Sequence, residues 1–165
     1  MKKQIKLEVI AFDLDGVLIN SIPNMQEAWK NTCTKNNFNI PFSKYKKLIG
    51  LPFVEILKKL KIKRNFKNIQ KDYRFFSSKH INLIKIYPNI RNILKKLKQK
   101  YKIVIITSKE RKRAVNVLKK KKLDYDMLVT PNDVKKGKPN NDSTRKVLKE
   151  LSLKRDNMVY IGDTI

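Results

Sequence analysis

Two aspartates stand one residue apart at the end of an apolar run, in Val9-Ile10-Ala11-Phe12-Asp13-Leu14-Asp15-Gly16-Val17-Leu18. A short apolar run of this kind suits a buried parallel strand, and ligands of open α/β sheets collect just beyond the carboxyl ends of such strands. Side chains alternate along an extended chain, so Asp13 and Asp15 can point to one side, while Gly16 lets the backbone turn tightly or approach a bound group. In outline this is a phosphoryl-transfer site. Over this stretch alone, a surface hairpin turning at Asp15-Gly16 reads the same way.

Three further segments carry side chains suited to the same chemistry. Tyr101-Lys102-Ile103-Val104-Ile105-Ile106-Thr107-Ser108 is a β-branched strand ending in two hydroxyls. Lys136-Gly137-Lys138-Pro139 holds a lysine in a loop ahead of a helix, and Met158-Val159-Tyr160-Ile161-Gly162-Asp163-Thr164 is another apolar strand ending in a carboxylate. Each is commonplace by itself, since Ser, Thr, Asp, Gly and Pro are ordinary turn residues. In this order and spacing, behind FDLDGVL, they form a specific signal. The chain resembles the haloacid dehalogenase-like (HAD) superfamily from end to end, and within it the group of phosphoglycolate phosphatases and β-phosphoglucomutase, which carries a helical cap between the first and second motifs.

The resemblance implies a role for each residue. Asp13 is the nucleophile and forms an aspartyl-phosphate, which splits one hard displacement into two easier ones. Asp15 protonates the leaving alcohol and then activates the hydrolytic water. Thr107, with the backbone around Ser108 at the start of the next helix, hydrogen-bonds the phosphoryl oxygens, and Lys138 balances their charge. Crowded carboxylates repel one another's ionisation, so a divalent cation is called for, and Mg²⁺ suits hard oxygen ligands. Its ligands would be an Asp13 oxygen, the backbone carbonyl of Asp15, and Asp163. The segment from Leu48 to Leu57 looks like the substrate-selecting cap loop of that group, with Gly50 at its turn; the same residues also read as a helix-turn-helix with glycine ending one helix and proline starting the next.

The expected function is that of a Mg²⁺-dependent phosphatase acting on a small phosphorylated metabolite, phosphoglycolate or a sugar phosphate. A phosphomutase of the β-phosphoglucomutase type, or a truncated, catalytically weak HAD-like binding or regulatory module, are the alternatives. Dehalogenation is disfavoured because dehalogenases lack the second aspartate. The chain stops two residues after Asp163, where superfamily members place another acidic residue and continue through a helix and a strand, so the expectation is that the C-terminal part is missing. The third motif also reads Lys138-Pro139-Asn140-Asn141-Asp142, without the second proline that relatives commonly have.

Hydrophobic periodicity predicts the elements that must position these residues. From Pro23 to about Ile84 the pattern is helical, with Met25, Ala28, Trp29 and Thr32 at three-to-four spacing and no convincing strand. Beyond Tyr87-Pro88 it alternates: helix over 90–98, strand over 103–106, helix over 111–121, strand over 127–130, helix over 143–151, strand over 158–161. Alternating strands and helices imply a parallel sheet. The predicted fold is a doubly wound α/β core formed by residues 1–19 and 83–165, interrupted by an all-helical cap over 20–82.

Composition narrows the partners. Forty Lys plus Arg stand against 14 Asp plus Glu, for a net charge of +26. The excess is almost all lysine spread over every segment, and arginine, suited to bidentate base and phosphate contacts, is scarce, so no specific nucleic-acid partner is expected. A general positive field still draws in phosphorylated metabolites. No apolar run approaches the roughly 18 residues of a membrane span, no targeting segment opens the chain, and no membrane partner is expected. The single cysteine, Cys33, excludes an internal disulfide. A cytoplasmic protein is the expectation. His80, the only histidine, lies away from every motif and reads as a surface or packing residue.

Overall fold

The computed structural model describes residues 6–163. The chain divides into two compact units, one made of Met1–Ile19 with Ile86–Ile165 and the other of Asn20–Lys85.

The first unit is built on four parallel strands. They are β1 (Val9–Phe12), β4 (Lys102–Ile106), β5 (Met127–Val129) and β6 (Met158–Ile161), in the order β5-β4-β1-β6. The register aligns Phe12 with Ile105 on one side and with Ile161 on the other. Helices α5 (Ile90–Lys98), α6 (Arg111–Lys120) and α7 (Asp142–Glu150) fill the connections. Alternation decides which side chains meet which layer. Val9, Ala11, Val104, Ile106 and Val129 share one face and pack with Val147 of α7. Ile10, Phe12, Ile103 and Ile105 occupy the opposite face and are equally buried. Covering on both faces is why these strands read as unbroken apolar runs.

The strand order fixes where chemistry can occur. From β1 the chain steps outward to β4 and β5, then returns to the other side of β1 as β6. The direction of winding therefore reverses beside β1, and a crevice opens at the carboxyl ends of strands flanking such a switch point. Asp13 follows β1 directly, Thr107 follows β4, and Asp163 lies two residues past β6.

The second unit is helical: α1 (Ile22–Lys35), α2 (Phe42–Lys46), α3 (Phe53–Lys59) and α4 (Phe66–Lys79). Its core joins Met25, Ala28, Trp29, Ile56, Leu57, Ile69 and Tyr73. Trp29 stacks on Tyr45 at 4.7 Å, its indole N–H donates to the Ile40 carbonyl, and the Tyr45 hydroxyl meets that of Tyr73 at 3.0 Å. Asn24 and Ser77 tie α1 to α4 by two reciprocal bonds of 2.8 Å each. Cys33 is buried here, and burial pushes its thiol up to about 11, which makes it a packing group. The turn at Gly50, with φ +107°, lies between α2 and α3.

Two details differ from the sequence expectation. The helical unit runs to Lys85 rather than 82, because Ile81, which opens a 3₁₀ turn, and Ile84, just after it, are buried and that turn packs on α1. The two crossings between the units also pair as a short ribbon, β2 (Ile19–Asn20) with β3 (Lys85–Ile86), too brief to leave a periodic signal.

Strand β6 ends the described sheet, and Val159, Tyr160 and Ile161 are 46%, 38% and 41% exposed.

Candidate active site

Asp13 leaves β1 8% exposed. Its Oδ1 accepts the Leu14 N–H at 2.7 Å, and its Oδ2 accepts from Lys138 Nζ at 2.6 Å. Burial pushes the Asp13 carboxyl up from its ordinary value, against the opposing pull of Lys138, and the neighbouring Asp15 adds to the rise. Lys138 lies in the loop after Gly137, just before the cis peptide to Pro139. Burial disfavours its charge, but Asp13 and the Tyr160 hydroxyl at 3.0 Å outweigh that and hold its ammonium above the usual lysine range.

After Asp13 the chain makes a tight turn. Gly16 N–H donates to the Ile19 carbonyl, and Leu18 and Ile19 N–H both donate to Leu14. Gly16 adopts φ +84°, and a Cβ at that position would lie 1.9 Å from Oδ2 of Asp163. Glycine is therefore required twice over, by the left-handed backbone and by the carboxylate seated against it. This contact brings the end of β6 to the Asp13-Asp15 turn.

Asp15 meets a lysine of its own. Lys109 Nζ lies 3.0 Å from Asp15 Oδ2, and the Lys109 side chain is only 4% exposed. Burial depresses the Lys109 ammonium below the ordinary lysine range, with Asp15 opposing. Thr107, buried at the end of β4, accepts the Lys109 N–H on Oγ1 at 3.1 Å, closing a hydroxyl turn. The helix starts at Arg111, not at Ser108, so Thr107, Ser108 and Lys109 form a loop ahead of α6. Four residues, 107–110, separate the strand from the helix, because Thr107 finishes the strand bond to Val129 while Lys109 turns inward to Asp15.

The structure thus gathers Asp13, Asp15, Thr107, Ser108, Lys138 and Asp163 at the carboxyl ends of β1, β4 and β6. Gly50 belongs to the helical unit, where a Cβ would meet nothing within 4 Å. Sequence reasoning passed over Lys109 and Tyr160. Lys109 had one available signal, its place directly after Thr107-Ser108; Tyr160 had none, being an apolar-patterned strand residue.

The donor chemistry here is hard oxygen. Among the described residues no three carboxylate, thiol or imidazole side chains converge into a metal cluster. The Asp13 and Asp163 carboxylates with the main-chain carbonyl of Asp15 could hold a hard cation that keeps several of its waters, such as Mg²⁺.

A parallel sheet with flanking helices and paired carboxylates at its switch point is an open α/β core with a candidate site at its carboxyl edge. Comparison gives the family: the model of the haloacid dehalogenase-like hydrolases matches residues 10–165, and the chain belongs to that family. A phosphorylated carbohydrates phosphatase of Thermotoga maritima is 27% identical over 96% of this chain and 77% of its own length. The pyrophosphatase PpaX of Bacillus mycoides is 30% identical over 96% of this chain and 75% of its own. The crystal structure of a hydrolase from Pseudomonas syringae superimposes with a TM-score of 0.83 at 27% identity, covering 96% of this chain and 76% of that one. Among the described residues no helix is long and apolar enough to cross a membrane.

Gly16→Ala should cost about 1–3 kcal/mol of stability through its positive φ and displace Asp163. Urea unfolding will read the first effect, and a weakened response of thermal midpoint to added Mg²⁺ will read the second.

Proposed function

We propose that this protein is a Mg²⁺-dependent phosphatase that hydrolyses a small phosphorylated metabolite through an aspartyl-phosphate. The observation that carries the reading is the meeting of Asp13, Lys138, Asp15 and Asp163 at one sheet edge. The relatives' names, a phosphorylated carbohydrates phosphatase and a pyrophosphatase, support phosphorylated substrates as the class. The lone buried cysteine is compatible with a cytoplasmic setting.

The obstacle in such a reaction is an anion attacking an anion. Asp13, fixed by the Leu14 N–H and Lys138, presents a carboxylate oxygen in line with phosphorus. As the P–O bond to the leaving group breaks, Asp15 supplies the proton that makes the product a neutral alcohol. Thr107 and the main chain around Ser108 hold the phosphoryl oxygens, and Lys138 balances their charge. Asp15, now a base, takes a proton from water as that water attacks the phosphorus, and phosphate leaves Asp13. Mg²⁺, held by Asp13, Asp163 and the Asp15 carbonyl, would offset negative charge on the transferring group. The loop at Gly50 to Phe53 is read as the substrate-selecting element of the helical unit.

Turnover of p-nitrophenyl phosphate should depend on Mg²⁺ and stop in chelator. Asp13→Asn should abolish both turnover and acid-stable labelling of the protein by phosphate. Equal rates with and without metal, or near-normal activity of Asp13→Asn, would refute the mechanism.

Substitution within Gly50 to Phe53 should reorder the rates of a panel of phosphate esters while Mg²⁺ dependence persists. Unchanged relative rates would remove that loop from substrate selection.

A further inference from the structure

Lys109 is the buried ionisable group that the proposed chemistry leaves without a task. A lysine is withdrawn from water only at considerable cost unless its charge is paired. Here the partner is the side chain assigned the proton transfers. We propose that Lys109 is a positioning residue for Asp15, donating to Oδ2 and so holding the carboxyl group in the orientation from which its other oxygen, when protonated, gives its proton to the leaving oxygen. The proposal rests on the reading of Asp15 as the acid and base.

Three observations support it. Both backbones are fixed: Asp15 sits in a turn closed by the bonds of Gly16, Leu18 and Ile19, and Lys109 is pinned by its N–H to Thr107 Oγ1. Thr107 is itself bonded through its N–H to Val129 of β5. The Asp15 side chain has only a few staggered wells, and the 3.0 Å contact from Lys109 Nζ favours the one in which it is made. Second, the Lys109 stem is enclosed, so the ammonium reaches Asp15 without the freedom of a surface lysine. Third, the neighbouring carboxylate has a separate cation. Lys138 bonds Asp13 Oδ2 at 2.6 Å, and Lys109 bonds Asp15 Oδ2, so the nucleophile and the acid are oriented independently. The arrangement also links phosphoryl binding to proton delivery, since the Thr107 hydroxyl holds Lys109 and Lys109 holds Asp15. Displacement of a catalytic group by about 1 Å can cost on the order of 10²-fold.

The test compares two esters that differ in their need for an acid. Nitrophenolate leaves p-nitrophenyl phosphate without a proton, whereas the alkoxide of glycerol phosphate must be protonated. The ratio of kcat/KM for the two esters isolates that step. Lys109→Met should lower the glycerol phosphate value about tenfold or more beyond its effect on the aryl ester, a share of the roughly 10²–10⁴ that general acid-base catalysis supplies. Asp15→Asn should move the ratio at least as far, and adding Lys109→Met to it should change the ratio no further. Should Lys109→Met fail to fold, Lys109→Gln, a smaller change that keeps a donor, is judged by the same ratio.

An unchanged ratio in the folded Lys109 variant, or full additivity with Asp15→Asn, overturns the role of Lys109 while the acid role of Asp15 stands. A loss expressed only as raised KM for an ester with a carboxylate on its leaving group also overturns it, making Lys109 an anion-binding residue. An Asp15→Asn protein with an unchanged ratio removes the acid role of Asp15 and this proposal with it.

Discussion

Two carboxylates one residue apart cannot be taken into a sheet edge without cations to meet them, and the site follows from that constraint. Asp13 is buried at the end of β1 and its carboxyl is pushed up by that burial even with Lys138 bonded to it. Asp15 meets a second, more deeply enclosed lysine. Burying one such charge unpaired would cost several kcal/mol. Lys109 and Lys138 come from the segments after β4 and β5, so the site exists only once those strands are stacked beside β1.

Topology supplies the rest of the convergence. The chain winds from β1 outward through β4 to β5 and comes back as β6 on the opposite flank. The ends of β4 and β6 are thereby brought to either side of Asp13. On one flank Thr107 and Lys109 approach the turn; on the other the Asp163 carboxylate takes the space that a side chain at Gly16 would fill. A single glycine serves as turn and as seat for the third carboxylate. Tyr160 ties the same flank to Lys138 through its hydroxyl, while its ring lies 3.0 Å from where a Cβ at Gly162 would stand.

The helical unit obeys different rules. Its core joins an aromatic stack around Trp29, Tyr45 and Tyr73 to the Asn24-Ser77 pair, and the side-chain polar groups of Asn24, Ser77, Tyr45 and Tyr73 meet partners there. Its sequence is read as helix because Met25, Ala28, Trp29 and Thr32 fall on one face of α1, all of them buried. The described unit ends at Lys85 against the expected 82, with Ile81 and Ile84 buried by the tertiary packing of a 3₁₀ turn that has no period to detect.

The order of the core elements, and their bounds to within a residue or so, were legible in the sequence because strand and helix periodicity are local and both sheet faces are apolar. The strand-end positions of Asp13, Thr107 and Asp163 were legible for the same reason. Ser108 shows the limit: it lies in a loop, because the start of α6 depends on the inward path of Lys109. Lys138 was named from its place in the third motif, through the family resemblance, whereas the pairing of Lys109 with Asp15 was not legible. In a chain with 40 Lys plus Arg, residue type and spacing cannot distinguish a solvated ammonium from one buried against a carboxylate. That distinction depends on pairing between segments far apart in the chain, as in Lys138 with Asp13 and Lys109 with Asp15. Composition and periodicity determined the strands and the residues at their ends; only the packing of β4 and β6 on β1 decided which charges meet, because charge pairing acts through space and leaves no period in the sequence.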